Sequence, residues 1–211
     1  MGSSPSQDIQ KNQKGGLDKL IKDQKKTEKQ SKEFPPYTAN EIERLRIKFG
    51  QIDKLNQGYI YIDQLTELQE IKMHFFKDRI LYLTEQKLKD EDKNEIDFET
   101  FTQILIPFHP ESGKDMKYIY LFKIYDINQD GVITLKDIID CQKLFYSQQH
   151  RQQLGYKYLY GSLMENEHFL EKLANDIMNE FDFDNSGTID LQEFKVLVDD
   201  LDLLFRMNIN F

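Results

Sequence analysis

One run of twelve residues constrains this chain more than any other feature: Asp182-Phe-Asp184-Asn-Ser186-Gly187-Thr188-Ile189-Asp190-Leu-Gln-Glu193. Residues that can offer an oxygen fall at its positions 1, 3, 5, 7, 9 and 12, with glycine at 6 and isoleucine at 8. A hard cation that takes six to eight oxygens needs this spacing if one short loop is to supply them. Gly187 allows the positive φ of the sharp turn. Ile189 points away from the ion, towards a neighbouring loop. Glu193, already in the following helix, can give both carboxylate oxygens. Four carboxylates meet here, and their repulsion is costly unless a cation offsets it. The candidate ligands are Asp182, Asp184, Ser186, Thr188, Asp190 and Glu193.

A second run, Asp126-Ile-Asn128-Gln-Asp130-Gly131-Val132-Ile133-Thr134-Leu-Lys-Asp137, repeats the pattern with Asp at position 12. Its candidate ligands are Asp126, Asn128, Asp130, Val132, Thr134 and Asp137. Asp is one methylene shorter than Glu, so Asp137 is expected to reach the ion through one oxygen. That favours six-fold coordination, weaker Ca²⁺ binding and better tolerance of Mg²⁺. Both runs read as EF-hand loops, so two Ca²⁺ sites are expected, with Mg²⁺ able to compete in the 126–137 loop.

Two more stretches keep the frame of this unit without its chemistry. Asp53-Lys-Leu55-Asn-Gln57-Gly58-Tyr-Ile60-Tyr-Ile-Asp-Gln64 has Leu at position 3 and Gln at 12. Lys89-Asp-Glu91-Asp-Lys93-Asn94-Glu-Ile96-Asp-Phe-Glu-Thr100 has Lys at 1 and 5 and Thr at 12. An aliphatic group cannot ligate a hard cation, and a lysine puts a like charge in its place. Both are expected to be structural hands in which Ile60 and Ile96 still pair. Loop starts at 53, 89, 126 and 182 mark a repeat whose last interval is long.

Between the loops, apolar residues recur at helical spacing. Thr38 with Glu41 has the form of a capping box before Ile42, Leu45 and Phe49. Tyr118, Leu121, Phe122 and Tyr125 form one stripe. Leu170, Leu173, Ile177 and Phe181 form a second, and Leu191, Phe194, Val198 and Leu201 a third. The expected fold is all-α: four EF-hands in two paired lobes, with short β-bridges between paired loops. Residues 1–36 read as a flexible Lys/Gln-rich tail, 37–114 as the pair with degenerate loops, and 115–211 as the metal-binding pair. An extra segment near 146–162, rich in Gln and carrying Tyr156, Tyr158 and Tyr160, reads as a loop or partner-contacting insert.

Charge follows the same division. The 211 residues carry a formal net charge of −9. The tail is +3, residues 37–114 are −4, and residues 115–211 are −8. Seven of the C-terminal carboxylates are loop positions: Asp126, Asp130, Asp137, Asp182, Asp184, Asp190 and Glu193. The acidic balance argues against a nucleic-acid partner, which needs a basic face. A single cysteine, Cys141, excludes a disulfide framework and suits a reducing compartment; it is expected to be a small buried apolar group. No apolar run is long enough to span a bilayer and the start lacks a secretory core, so a cytoplasmic location is expected. Met1-Gly2-Ser3-Ser4-Pro5-Ser6 fits the N-myristoylation pattern at Gly2. One acyl chain holds a membrane only marginally, and the eight lysines of the tail offer a second, electrostatic contact. His74, His109, His150 and His168 show no ligand spacing. No phosphate-binding loop, nucleophile elbow or catalytic carboxylate pair is present, so an enzyme is not expected.

Two degenerate hands followed by two competent ones, an acylatable start and a short tail resemble the calcineurin B-like family. The resemblance covers residues 37–211, through Phe76-Lys-Asp-Arg79-Ile80, Tyr120-Leu-Phe-Lys-Ile-Tyr-Asp126 and the stretch from Leu201-Asp202 to Met207. The dead loops at Leu55 and Lys89 point away from the phosphatase subunit. They point towards the calcineurin B homologous and the calcium- and integrin-binding branches. Asp137 resembles the second of these, the tail the first. The long interval before the fourth hand departs from all three. The resemblance implies a non-enzymatic, Ca²⁺-binding regulatory or adaptor subunit that holds an amphipathic helix of a larger protein. The alternative is a constitutive structural subunit of a cytoplasmic or cytoskeletal assembly, its ions only stabilising the fold.

Overall fold

A computed structural model describes residues 36–152, 166–200, 204 and 207–209. The expected tail, Gly2 included, and most of the segment near 146–162, with its three tyrosines, lie outside the described residues. So does Leu201.

In chain order the elements are α1 (Ala39–Ile52), β1 (Tyr59–Ile60), a 3-10 helix (Ile62–Glu67), α2 (Gln69–Lys72), α3 (Lys77–Asp90) and β2 (Ile96–Asp97). There follow α4 (Phe98–Leu105), a second 3-10 helix (Ile106–Phe108), α5 (Lys114–Tyr125), β3 (Ile133–Thr134) and α6 (Leu135–Gln152). The described chain ends its regular structure with α7 (Glu167–Phe181), β4 (Thr188–Ile189) and α8 (Leu191–Asp200). It is a helical fold in which the only strands among the described residues are two-residue bridges. β1 pairs antiparallel with β2, Ile60 opposite Ile96, and β3 with β4, Ile133 opposite Ile189. Position 8 of each loop therefore meets position 8 of its partner, whether or not the loop has metal ligands.

The chain divides into two compact units. One includes Tyr118–Leu203; the other holds Gln30–Lys117 together with Leu204–Phe211. In the latter, α1 begins on the Thr38–Glu41 capping box: the Thr38 N–H donates to Glu41 Oε2 at 2.7 Å and the Glu41 N–H to Thr38 Oγ1 at 3.3 Å. The same helix buries Leu45, Phe49 and Ile52. Phe49 meets Phe98 and Phe101 edge-on, at 5.6 and 5.3 Å between ring centres. In the other unit Phe122 meets Phe194 edge-on at 5.4 Å, and Tyr125 lies 5.6 Å from Phe145. Cys141 is buried, its thiol against the carbonyls of Ile124 and Tyr125.

Two stripes differ from expectation. On α7 the buried face is Leu170, Ala174, Met178 and Phe181, while Leu173 and Ile177 are half-buried. A rotation of one residue lets the small Ala174 come close where a leucine would hold the helices apart. On α8 Phe194, Leu197 and Val198 are buried, and Val196 is exposed. Residues 146–152, expected within the insert, instead continue α6.

Candidate metal centre

In the 182–193 loop the backbone is wound into a tight turn. Asn185 and Gly187, at positions 4 and 6, have φ of 55° and 82°. Asp182 takes the Ser186 N–H on Oδ1 and the Gly187 N–H on Oδ2, both at 2.9 Å. Asp184 Oδ1 takes the Ser186 N–H at 3.0 Å. Asp190 starts α8, its Oδ1 accepting from the Gln192 and Glu193 N–H groups. Glu193 closes the ring: Oε1 accepts from the Phe183 N–H at 2.8 Å and Oε2 from the Asp190 N–H at 2.9 Å. Carboxylate oxygens of Asp182, Asp184 and Glu193 lie within 4.8 Å of one another. Oxygens held that close, on hard anionic ligands, fit a divalent cation. Ser186 hydrogen-bonds to Thr188 within the same turn, and Asp190 stands at its edge.

The 126–137 loop has the same wiring. Gln129 and Gly131 carry the positive φ values, 58° and 91°. Asp126 accepts from the Asp130 and Gly131 N–H groups, and Asp130 from the Val132 N–H at 3.1 Å. Asn128 donates its amide N–H to Asp130 Oδ2 at 2.9 Å. Asp137, despite its shorter side chain, takes the N–H groups of positions 2 and 9, Ile127 at 3.2 Å and Thr134 at 3.0 Å. Burial pushes the Asp126 carboxyl up to about 6, helped by the charges of Asp130 and Asp137. A cation bound here would offset the crowding that otherwise favours a proton.

The first loop shows what replaces an ion. Asn56 and Gly58 have φ of 53° and 84°, and Asp53 takes the Gln57 and Gly58 N–H groups at 2.9 and 2.7 Å. This is the backbone of the two acidic loops. At position 12 the Gln64 amide accepts from the Tyr61 N–H at 2.8 Å and donates to the Ile52 carbonyl at 3.4 Å. Leu55, at position 3, is 78 % exposed and points to no ion. The second loop has diverged further. α3 runs through Lys89 and Asp90, and the Lys93 N–H closes onto the Leu88 carbonyl at 2.8 Å. What remains of the loop is Asp92 at position 4 with its φ of 54°, Ile96 paired with Ile60, and Asp97, which caps α4 through the Thr100 N–H.

Comparison with known proteins matches this geometry. A family model for an EF-hand domain pair fits residues 115–198. The type 2 calcineurin B subunit of Dictyostelium discoideum is 26 % identical over 163 residues, which cover 77 % of this chain and 79 % of that protein. The calcineurin B subunits of Candida glabrata and Schizosaccharomyces pombe are 24 % and 26 % identical, each over 77 % of this chain and 82 % of the relative. The loops, the paired strands and the family model define a calcium-binding EF-hand protein. Within that class the chain is similar to the calcineurin B subunits.

Proposed function

We propose that this chain is a Ca²⁺-binding regulatory subunit, not an enzyme, which holds an amphipathic helix of a larger cytoplasmic protein. The observation that carries the reading is the Asp182–Asp184–Glu193 cluster, three carboxylates whose oxygens one loop gathers within 4.8 Å of one another. The 182–193 loop is the stronger Ca²⁺ site, with Asp182, Asp184, Ser186, the Thr188 carbonyl, Asp190 and Glu193 as ligands. The 126–137 loop is the second, with Asp126, Asn128, Asp130, the Val132 carbonyl, Thr134 and Asp137, and it accepts Mg²⁺ more readily. The relatives are named as subunits, which supports a protein partner. An acylated, basic N-terminus with Gly2 as the acceptor would add a peripheral membrane contact.

A second reading, a constitutive structural subunit, is favoured by the first loop, which Gln64 closes with no ion. Titrating Ca²⁺ at physiological Mg²⁺, while following both heat and the exposure of apolar surface with a dye, separates the two. We expect two binding events and a rise in exposed apolar surface. Binding without that rise leaves the constitutive subunit, and no binding overturns the calcium reading itself.

A further inference from the structure

Leu55 is the most exposed of the large apolar side chains described, and Tyr61, in the same ion-free loop, is 43 % exposed. Ile60 and Ile96 turn into the core, so the alternation of a strand puts their neighbours on the opposite face of the β1–β2 ribbon. There Tyr59 stands across from Asp97, and the Tyr59 and Tyr61 rings meet edge-on at 5.6 Å. Tyr61 above all, with the negative charges of Glu95 and Asp53 adding, holds the Tyr59 phenol above its usual range. The outer face of the ribbon is therefore an aromatic pair with carboxylates beside it.

The second loop makes that face acidic. Residues 89–100 carry six carboxylates and two lysines. The lysines of both loops are already taken: Lys89 pairs with Glu85 and Lys93 with Glu91, both at 2.9 Å, and Lys54 with Glu67 at 2.7 Å. Among the described residues Asp90, Asp92, Glu95 and Glu99 have no ion-pair partner. Neither loop has the ligands to take a cation that would offset this charge. The chain itself contains a segment of complementary chemistry. Residues 11–29 hold seven lysines against three acids, with Leu17, Leu20 and Ile21 at helical spacing among them. Reach is no obstacle. The first loop follows α1, a helix about 21 Å long. The fifteen residues between Ile21 and the start of the described chain can span about 50 Å.

We propose that residues 11–29 dock on the Leu55–Tyr59–Tyr61 face of the ion-free hands, their apolar residues on the rings and their lysines on the carboxylates of the second loop. Tyrosine faces attract ammonium groups as well. Calcium does not release this hold, and lysines engaged in it are withheld from a membrane surface. A tethered segment acts at an effective concentration of about 1 mM, so a local dissociation constant of about 0.1 mM leaves roughly a tenth of it free. Trypsin digestion of the full chain at low salt, with the cuts after Lys19, Lys22, Lys25 and Lys26 followed by mass, tests the docking. Leu55→Ser with Tyr61→Ser is expected to speed these cuts about tenfold and to leave cutting at Lys48, in α1, unchanged. Glu95→Lys, which keeps the apolar contacts, is expected to speed them as well. Cuts no faster in the double variant overturn the docking, and no rise with Glu95→Lys overturns the charge complementarity on which it rests. Cuts in the unaltered chain that quicken in Ca²⁺ would assign the tail to the metal-binding loops and overturn the proposal too.

Discussion

At the scale of single residues, position 12 is where the two acidic loops differ in chemistry. Glu193 and Asp137 receive the same two backbone N–H groups, from positions 2 and 9. They differ by one methylene. Both arms of Glu193 therefore serve the loop from within the helix, whereas Asp137 must bring its shorter arm in by the same contacts. Replacing Glu193 by Gln removes one ligand charge. Loss of mere supporting groups costs about 10–100-fold in metal affinity, so loss of this ligand should cost about 100-fold or more, read by calorimetry. Asp137→Glu should act the other way, tightening Ca²⁺ and weakening Mg²⁺ in the other loop; an unchanged ratio would refute the assignment of that site. His74 provides a test of a different kind. Burial holds its imidazole down at about 4, against about 6.5 when unfolded. The unfolded chain therefore binds a proton first as pH falls, and stability drops between about 6.5 and 4. The whole shift corresponds to roughly 3 kcal/mol, lost fully only below the lower value. His74 Nδ1 takes the Phe76 N–H at 3.1 Å. His74→Gln keeps an acceptor for that group and should flatten that part of the urea-denaturation profile. A profile identical to wild type would show that the imidazole is not the group responsible.

At the scale of elements, the first hand shows that an EF-hand loop can be kept closed by an amide. Asp53 holds the turn, and Gln64 spans the Tyr61 N–H and the Ile52 carbonyl, so β1 and β2 stay in register. Gln64→Ala leaves the Tyr61 N–H without its acceptor, which should cost roughly 1–2 kcal/mol in urea denaturation. The loss should be the same in Ca²⁺ and in chelator; a calcium-dependent loss would mean that this loop takes an ion after all. The four loops, the Thr38 cap and the isoleucine pairs were legible in the sequence because each is enforced within a dozen residues by turn sterics or ligand spacing. The buried face of α7 was not, because choosing Ala174 over Leu173 depends on how near the opposing helix comes. Nor was the destination of Met207 and Ile209, both buried in the unit of the two degenerate hands. Two apolar residues in a short tail announce burial, but only long-range packing names the core that receives them. The overrun of α3 into the second loop was half legible: Asn94 in place of glycine removes the turn, yet nothing local says that the helix continues.

At the scale of the whole molecule, the charge pattern sets how the chain responds to ions in general. Seven loop carboxylates lie in the unit from Tyr118 to Leu203, and two of them, Asp126 and Asp137, are almost wholly buried. In chelator these groups repel one another, and monovalent salt screens that repulsion over roughly 10 Å at about 0.1 M. Salt should therefore raise the melting temperature of the calcium-free chain. Two bound Ca²⁺ ions would take the formal charge from −9 to −5 and place positive charge at the centre of each cluster. Screening would then weaken attraction as well as repulsion, so the same salt should have little effect, or the opposite one, on the calcium-loaded chain. Ca²⁺ itself should stabilise by mass action, by about 4 kcal/mol per site when present at a thousandfold excess over its dissociation constant. Thermal unfolding at about 0.02 and 0.5 M KCl, with chelator and with Ca²⁺, checks both statements. Equal salt responses in the two forms would mean that the loop carboxylates are not where the negative charge of the fold is concentrated in effect.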